Sequence, residues 1–311
     1  MLQYYGGYTG TPSASPPPTA IDLLLASTAW VAENGNDGTG EVNNLGKPFA
    51  TIQAAVNAVG VNGTVWVFPK PLPYNEPVTI AKPLTLYFSP GVRKAQVNRI
   101  ESAGIKIIAW GASTGNFIGA DGYSYEIWGG NTDGVRVSGG TLKALGCFAS
   151  DVTANNGGVL DFKLCEGTRI ILGQNATLLA DTCKFSYDLA ATIQGSTFGA
   201  KIEAKNSTFI SPTGRVIDGF STGTDAFRGS LLLDNCELIS EDSEPIRFAQ
   251  TLAGKNKIVN CTLVGVGTNC IDFTGNATFS KLVFDSNRSN LAIPANTQII
   301  AGNNFVNADI Q

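Results

Sequence analysis

Apolar residues recur along this chain in short bursts with a period of two, and Gly, Asn or Pro interrupts the bursts every few residues. Alternation of this kind marks half-buried strands rather than helices. The series is clearest after residue 140, where TLKALGCFA, VLDFKLCEG, TLLADTCKF, AKIEAKNSTF, LLLDNCELI and NKIVNCTLV align. In that alignment Cys147, Cys165, Cys183, Ser207, Cys236 and Cys261 share one position, at separations of 18, 18, 24, 29 and 25 residues. Three and five residues earlier stand Ala144 and Leu142, Phe162 and Leu160, Ala180 and Leu178, Ala204 and Ile202, Leu233 and Leu231. Two residues later stand Phe185, Phe209, Leu238 and Leu263. Apolar sets at fixed offsets on both sides of a small residue describe an inward face bent at a turn. The pattern predicts a parallel coil, one rung per repeat, with insertions carried in the turns. Thr182, Asn206, Asn235 and Asn260 immediately precede the small position. Asn tolerates left-handed backbone and its amide can bond along a stack. An internal Asn ladder beside a stack of Cys183, Ser207, Cys236 and Cys261 is therefore expected. Asn303 is expected to extend the ladder past a less regular rung near Asn287.

The N-terminal part is patterned differently. Phe49, Ile52, Val56 and Val59 are spaced 3, 4 and 3, which puts them on one face of a short helix. A short strand at Trp30–Ala32 and a loop dense in Asn, Asp and Gly precede it. Val65 and Val67, Val78 and Ile80, and Leu84 and Leu86 then alternate in short strands separated by Pro and Asn turns. The loop NGNDGTG, followed by KPFATIQAAVNAV, GTVWV and PVTIAKPLTL, resembles the N-terminal lead-in of the pectin-lyase-like right-handed parallel β-helix superfamily. That resemblance lies within residues 30–88. It implies an all-β, right-handed, single-stranded parallel β-helix whose short N-terminal helix caps the open end. Residues 1–27 then read as an arm or linker, 28–61 as the first strand, loop and capping helix, and 62–311 as the coil. About eleven rungs are expected, giving a rod about 50 Å long.

The superfamily holds lyases, hydrolases, esterases and viral adhesins, so fold does not settle activity. Polygalacturonase-type hydrolases carry Asn-Thr-Asp, an Asp pair, Gly-His-Gly and Arg-x-Lys. NTDGV at Asn131–Val135 would place Asp133 at a catalytic carboxylate. No Asp pair follows at a plausible distance, and the chain has no histidine. Asn-Thr-Asp-Gly is expected to form a turn. IDFTGNA at Ile271–Ala277 is similar to one pectin-methylesterase motif, but the other motifs are missing and Asp272 is expected at a surface or turn. Pectate-lyase-like enzymes combine a carboxylate cluster with an Arg base. The densest acidic stretch, SEDSEPIRF, offers Glu241, Asp242, Glu244 and Arg247, expected as solvated charges in a turn insertion. Viral depolymerases often use two carboxylates about 5–10 Å apart. Asp218, Asp225, Asp234 and Glu237 are candidates for such a pair. For binding, WGASTGNFIGADGYSYEIW places Trp110, Tyr123, Tyr125 and Trp128 among glycines. Flat aromatic faces stack on sugar rings; the same rings could instead fill the core or a subunit interface.

Composition narrows the choice. Without histidine there is no Ser-His or Cys-His catalysis and no His-ligated metal. Charged residues make up 15% of the 311, the net charge is −4, and the pI is near 5.0. That balance argues against a nucleic-acid partner. The six cysteines lack CxxC spacing and are expected as buried thiols. No metal or cofactor is expected. No apolar run reaches the roughly 18 residues of a membrane span, and no basic residue precedes the first apolar run as a secretory signal requires. Tyr4, Tyr5 and Tyr8 in the Gly/Pro-rich residues 1–20 suit a docking arm. The C-terminal TQIIAGNNFVNADIQ has no helix, Pro or charge cluster to close the coil. The expectation is a virion protein made in a host cytoplasm: a β-helical tail spike, fibre or receptor-binding adhesin recognising a host surface glycan or protein receptor. It would form a homotrimer and contact other virion proteins through residues 1–20 and the C-terminal end. A polysaccharide depolymerase of the same fold and a bacterial surface adhesin are the alternatives.

Overall fold

The computed structural model describes residues 27–306 apart from 190, 196–198, 220–229, 249–255, 274–281 and 295–298. The tyrosines of the N-terminal arm, Asp225 and residues 307–311 lie outside the described residues.

Each repeat folds into two or more short strands, and every strand pair is parallel to the strand one rung away. Among the described residues one sheet has thirteen strands, starting with Thr28–Val31, Gly63–Val67 and Leu84–Phe88 and ending with Ile299–Ala301. The other has sixteen strands among the described residues, with a branch through Ile193–Gly195, Ile217–Gly219, Ile246–Phe248 and Ile271–Phe273. The chain is thus a parallel β-solenoid, the coil that the period of the sequence implies.

Register follows the inward apolar ladder. Leu142, Leu160, Leu178, Ile202 and Leu231 pair in succession, as do Ala144, Phe162, Ala180, Ala204 and Leu233. All ten are buried. A one-residue slip would turn both columns to solvent, so burial alone fixes the pairing. Across the turn, Phe185, Phe209, Leu238 and Leu263 form the matching column. The Phe162, Phe185 and Phe209 rings stack at 5.9 and 6.1 Å between centroids. Each fully buried ring of this kind contributes about 1.5–3 kcal/mol by area alone.

At the turn between the two faces, Cys147, Cys165, Cys183, Ser207, Cys236 and Cys261 are all buried, and the cysteines are free thiols. Neighbouring rungs are linked there. The Cys183 N–H donates to Ser207 Oγ at 3.1 Å, and the Cys261 N–H to Asn287 Oδ1 at 2.9 Å. The hydrogen-bonded Cys147 thiol, together with burial, pushes Cys165 up to about 12, so it stays protonated and inert. Asn287 is 1% exposed and continues this inward column, with Asn304 next to it.

The Asn ladder is not internal. Thr182, Asn206, Asn235 and Asn260 are exposed, with φ of 57°, 50°, 52° and 53°. The left-handed residue is the one that turns the chain, and in that conformation its side chain points away from the core. Asn206 Nδ2 donates to Asp181 Oδ1 at 3.2 Å, Asn235 Nδ2 to Asn206 Oδ1 at 2.9 Å, and Asn260 Nδ2 to Asp234 Oδ1 at 3.0 Å. The ladder exists, but on the outside. Asn303 aligns with Ser286 by the register of the last two rungs, without the positive φ.

The helix is Ile52–Ala58 and buries Ile52, Ala55 and Val56 against the first two strands of the thirteen-stranded sheet. Its free N–H groups are satisfied by acids from elsewhere. Asp37 accepts from Ala50 and Thr51, and Glu76 from Ile52 at 2.7 Å and Gln53 at 3.3 Å. Among the described residues no helix is long and apolar enough to cross a membrane.

Candidate functional site: an aromatic corner and two charged clusters

The outward column of the thirteen-stranded sheet runs Trp66, Tyr87, Ile108, Trp128, Leu145 in register. Trp66 and Tyr87 lie 4.1 Å apart between centroids, and Trp66 Nε1 donates to Ser89 Oγ at 2.7 Å. At the end of this column the rungs turn. Most turn within two residues, but the rung after Ile108 needs Ala109–Ala112, closed by the Ala112 N–H to Ala109 carbonyl bond of 2.9 Å. The longer turn lifts Trp110 out and over the next two corners. A Cβ at Gly129 would lie 2.3 Å from the indole, and one at Gly146 would lie 2.7 Å away. Glycine at both positions lets the ring lie against the backbone, and φ of +68° and +62° suits glycine independently. Trp110 remains 49% exposed.

One rung on, Leu164 takes the place of Gly146. It is 60% exposed at φ 53°, a conformation that costs a non-glycine residue free energy. Exposure and left-handed backbone thus coincide at this apolar residue. The bedded indole and the raised leucine make a flat apolar shelf at one corner of the rod.

Of the four aromatic residues considered for sugar binding, Trp110 lies over Gly129, the residue that follows Trp128. The Lys106 ammonium lies 4.1 Å from the centre of the Trp128 ring, so that face is covered. Tyr123 is 38% exposed but sits ahead of the strand Tyr125–Trp128, across the sheet from Trp110. Tyr125 cannot bind a ligand. It is 2% exposed, its hydroxyl donates to the Arg136 carbonyl at 2.8 Å, and burial raises its pKa far above the usual phenol value. Its strand position faces inward, and a tyrosine with a buried hydroxyl needs such a partner.

NTDGV is not a turn. It opens the strand Asn131–Ser138, and Asp133 is an exposed strand residue there. Asp133 lines a groove of about 420 Å³ with Asn116, Arg136, Asp151 and Arg169. Arg169 Nε donates to Asp151 Oδ1 at 2.9 Å, and its guanidinium lies 5.2 Å from the Tyr187 ring. Gly134 lets the Asn116 amide lie close to the strand, since a Cβ there would meet Asn116 Oδ1 at 2.6 Å. Asp133 and Arg136 form no ion pair among the described residues.

The acidic stretch divides. Glu241 and Asp242 are exposed in their turn. Glu244 is not merely solvated, and Asp272 is not a turn residue. Arg215 Nη2 lies 3.5 Å from Glu244 and 3.6 Å from Asp272. Asp272 is in the strand Ile271–Phe273, in register with Arg247. Arg247 forms a two-pronged bond to Asp218 at 2.9 and 2.7 Å. Carboxylates held this way are neutralised and oriented, which suits cross-rung stapling better than acid–base chemistry. Arg215, the hub, was not among the sequence candidates; it is 29 and 57 residues from its partners and belongs to no motif. Asp234 accepts from Asn260, and Thr208 Oγ1 lies 3.4 Å from Glu237. Among the described residues no group of three potential metal ligands forms.

Fold and corner together define a parallel β-helical protein with an exposed aromatic shelf. No protein-family model matches the chain, and no curated protein sequence matches it. Among solved structures it is similar to Geobacillus virus E2 ORF18, at 13% identity over 91% of this chain and a TM-score of 0.37. The chain spans 61% of that protein's length. It is also similar to a rhamnogalacturonan lyase, at 13% identity over 90% of this chain and 86% of the lyase, with a TM-score of 0.36.

Proposed function

We propose that this protein is a viral β-helical spike, fibre or receptor-binding adhesin that recognises a surface glycan at the Trp110 corner. The carrying observation is the indole itself. It lies flat on Gly129 and Gly146, half of its surface is open, and a strained leucine stands beside it. A sugar ring has one face made largely of C–H groups, and burying it on an indole is favourable while its hydroxyls stay hydrated. The neighbouring Thr182 and Asn206 offer hydroxyl and amide groups at the same turn position. In this reading three copies assemble, and residues 1–20 join other virion proteins. The test is adsorption of purified full-length protein to host cells. Trp110→Ala should abolish adsorption with an unchanged circular dichroism spectrum; equal adsorption by wild type and variant would overturn the assignment. Sizing by light scattering checks the trimer.

A second reading, depolymerisation, is favoured by one observation: Asp133, without an ion pair, shares a groove with the Arg169-bound Asp151. Two carboxylates facing one groove, one of them held by an arginine, is the kind of pair that glycoside hydrolysis uses. Release of reducing ends from host polysaccharide, lost in Asp133→Asn, would support it.

A further inference from the structure

The geometry points to an uncharged, linear polysaccharide as the ligand, lying along the rod axis at this corner; the inference rests on the glycan-binding reading above. From the shelf onward, the same turn position carries Leu164, Thr182, Asn206, Asn235 and Asn260 in successive rungs, all exposed and none charged. Rungs repeat at about 4.8 Å, close to the length of one hexose ring. A linear chain laid along this line therefore meets one protein group per sugar.

The amides on the line are already oriented. Asn206, Asn235 and Asn260 each use one N–H on a neighbouring rung. An amide carries two, so each keeps a second donor. Donors whose rotamers are fixed beforehand lose less entropy on binding. Hydroxyl-rich neutral sugars need an apolar shelf and such a row of fixed polar groups.

The neighbouring column decides against an anionic ligand. It runs Lys163, Asp181, Lys205, Asp234 in register. Lys205 lies 3.6 Å from Asp181, and beside the shelf Lys106 is 3.8 Å from Glu126 while covering Trp128. A polyuronate or sulfated chain would meet carboxylates as often as cations. Recognition of repeated anions needs clustered Arg or Lys, and the corner presents none.

The experiment is affinity electrophoresis of the full-length protein in gels containing dextran, galactomannan or mixed-linkage β-glucan, against polygalacturonate and hyaluronan, at low and high salt. At least one neutral polymer should retard the protein independently of salt, and the acidic polymers should not. Trp110→Ala should weaken retardation at least tenfold, and Trp110→Phe should restore most of it. Leu164→Gly, which relieves strain and so folds at least as well, should also weaken it. Salt-sensitive retardation by an acidic polymer, lost in Trp110→Ala, would overturn the charge class and leave glycan binding standing. No retardation by any polymer would overturn both.

Discussion

The outward column of the thirteen-stranded sheet changes character halfway along the rod. Its first half is Trp66, Tyr87, Ile108, Trp128 and Leu145; its second runs Lys163, Asp181, Lys205 and Asp234, then Val259 and Asp285. The inward columns show no such break, since Leu, Ile, Ala and Phe continue through both halves. The difference teaches that stacking demands are met entirely from inside. Outside, each half is free to be specialised. The apolar half places large rings against one another and against backbone. From Lys163 to Asp234 the polar half alternates charges, so that each rung offers an opposite sign to the next.

Four substitutions break or sharpen that contrast. The largest effect should come from the interior that both halves share. Phe185→Ala removes the middle ring of the Phe162–Phe185–Phe209 stack and should cost about 3–5 kcal/mol in urea unfolding. Gly146→Ala should come next. It must adopt a positive φ and push against the Trp110 indole, so a loss of about 1–2 kcal/mol and a shift in tryptophan emission are expected. Leu164→Gly should act in the opposite direction, raising stability by about 0.5–1 kcal/mol as left-handed strain is relieved. The smallest effect belongs to the polar half. The Asn206 amide, with the Thr182 hydroxyl and Lys205 behind it, holds the Asp181 carboxyl below its usual range. A lowered carboxyl stabilises the fold above the unfolded value of about 3.9 and loses that contribution as pH falls through the folded one. Asn206→Gly keeps the turn and should slightly flatten the fall of the urea midpoint below pH 4; an unchanged profile would mean that the ladder is electrostatically idle.

The rungs were legible because inward positions repeat by type. Aligning the cysteines was enough to pair Leu142 with Leu160 and Phe185 with Phe209 in the order in which the sheets hydrogen-bond. The direction of the Asn ladder was not legible. Asn suits a left-handed turn equally well whichever way its side chain points, and only the fold sends that side chain outward. Tyr125 shows the same limit: among glycines and other rings, nothing local separates a tyrosine that plugs the core from one that stacks on a ligand. Trp110 could be singled out as a ring, but its role depends on Gly129 and Gly146, one and two rungs away. A glycine pair at 129–130 and another glycine one repeat later were the available signal. The Arg215 network was invisible for a related reason, since its members meet only after insertions of unequal length bring three rungs into line.

The file of buried thiols gives the molecule a gauge of its own opening. Cys147, Cys165, Cys183, Cys236 and Cys261 sit at one depth in separate rungs, each 1–5% exposed. A stacked coil breaks contact only with its neighbours, so rungs can open in sequence rather than all together. Pulsed alkylation in rising denaturant, followed by peptide mass mapping, would then record the order in which rungs are lost. The chain thus carries, at five known heights, the labels needed to watch a solenoid unzip from whichever end is weaker.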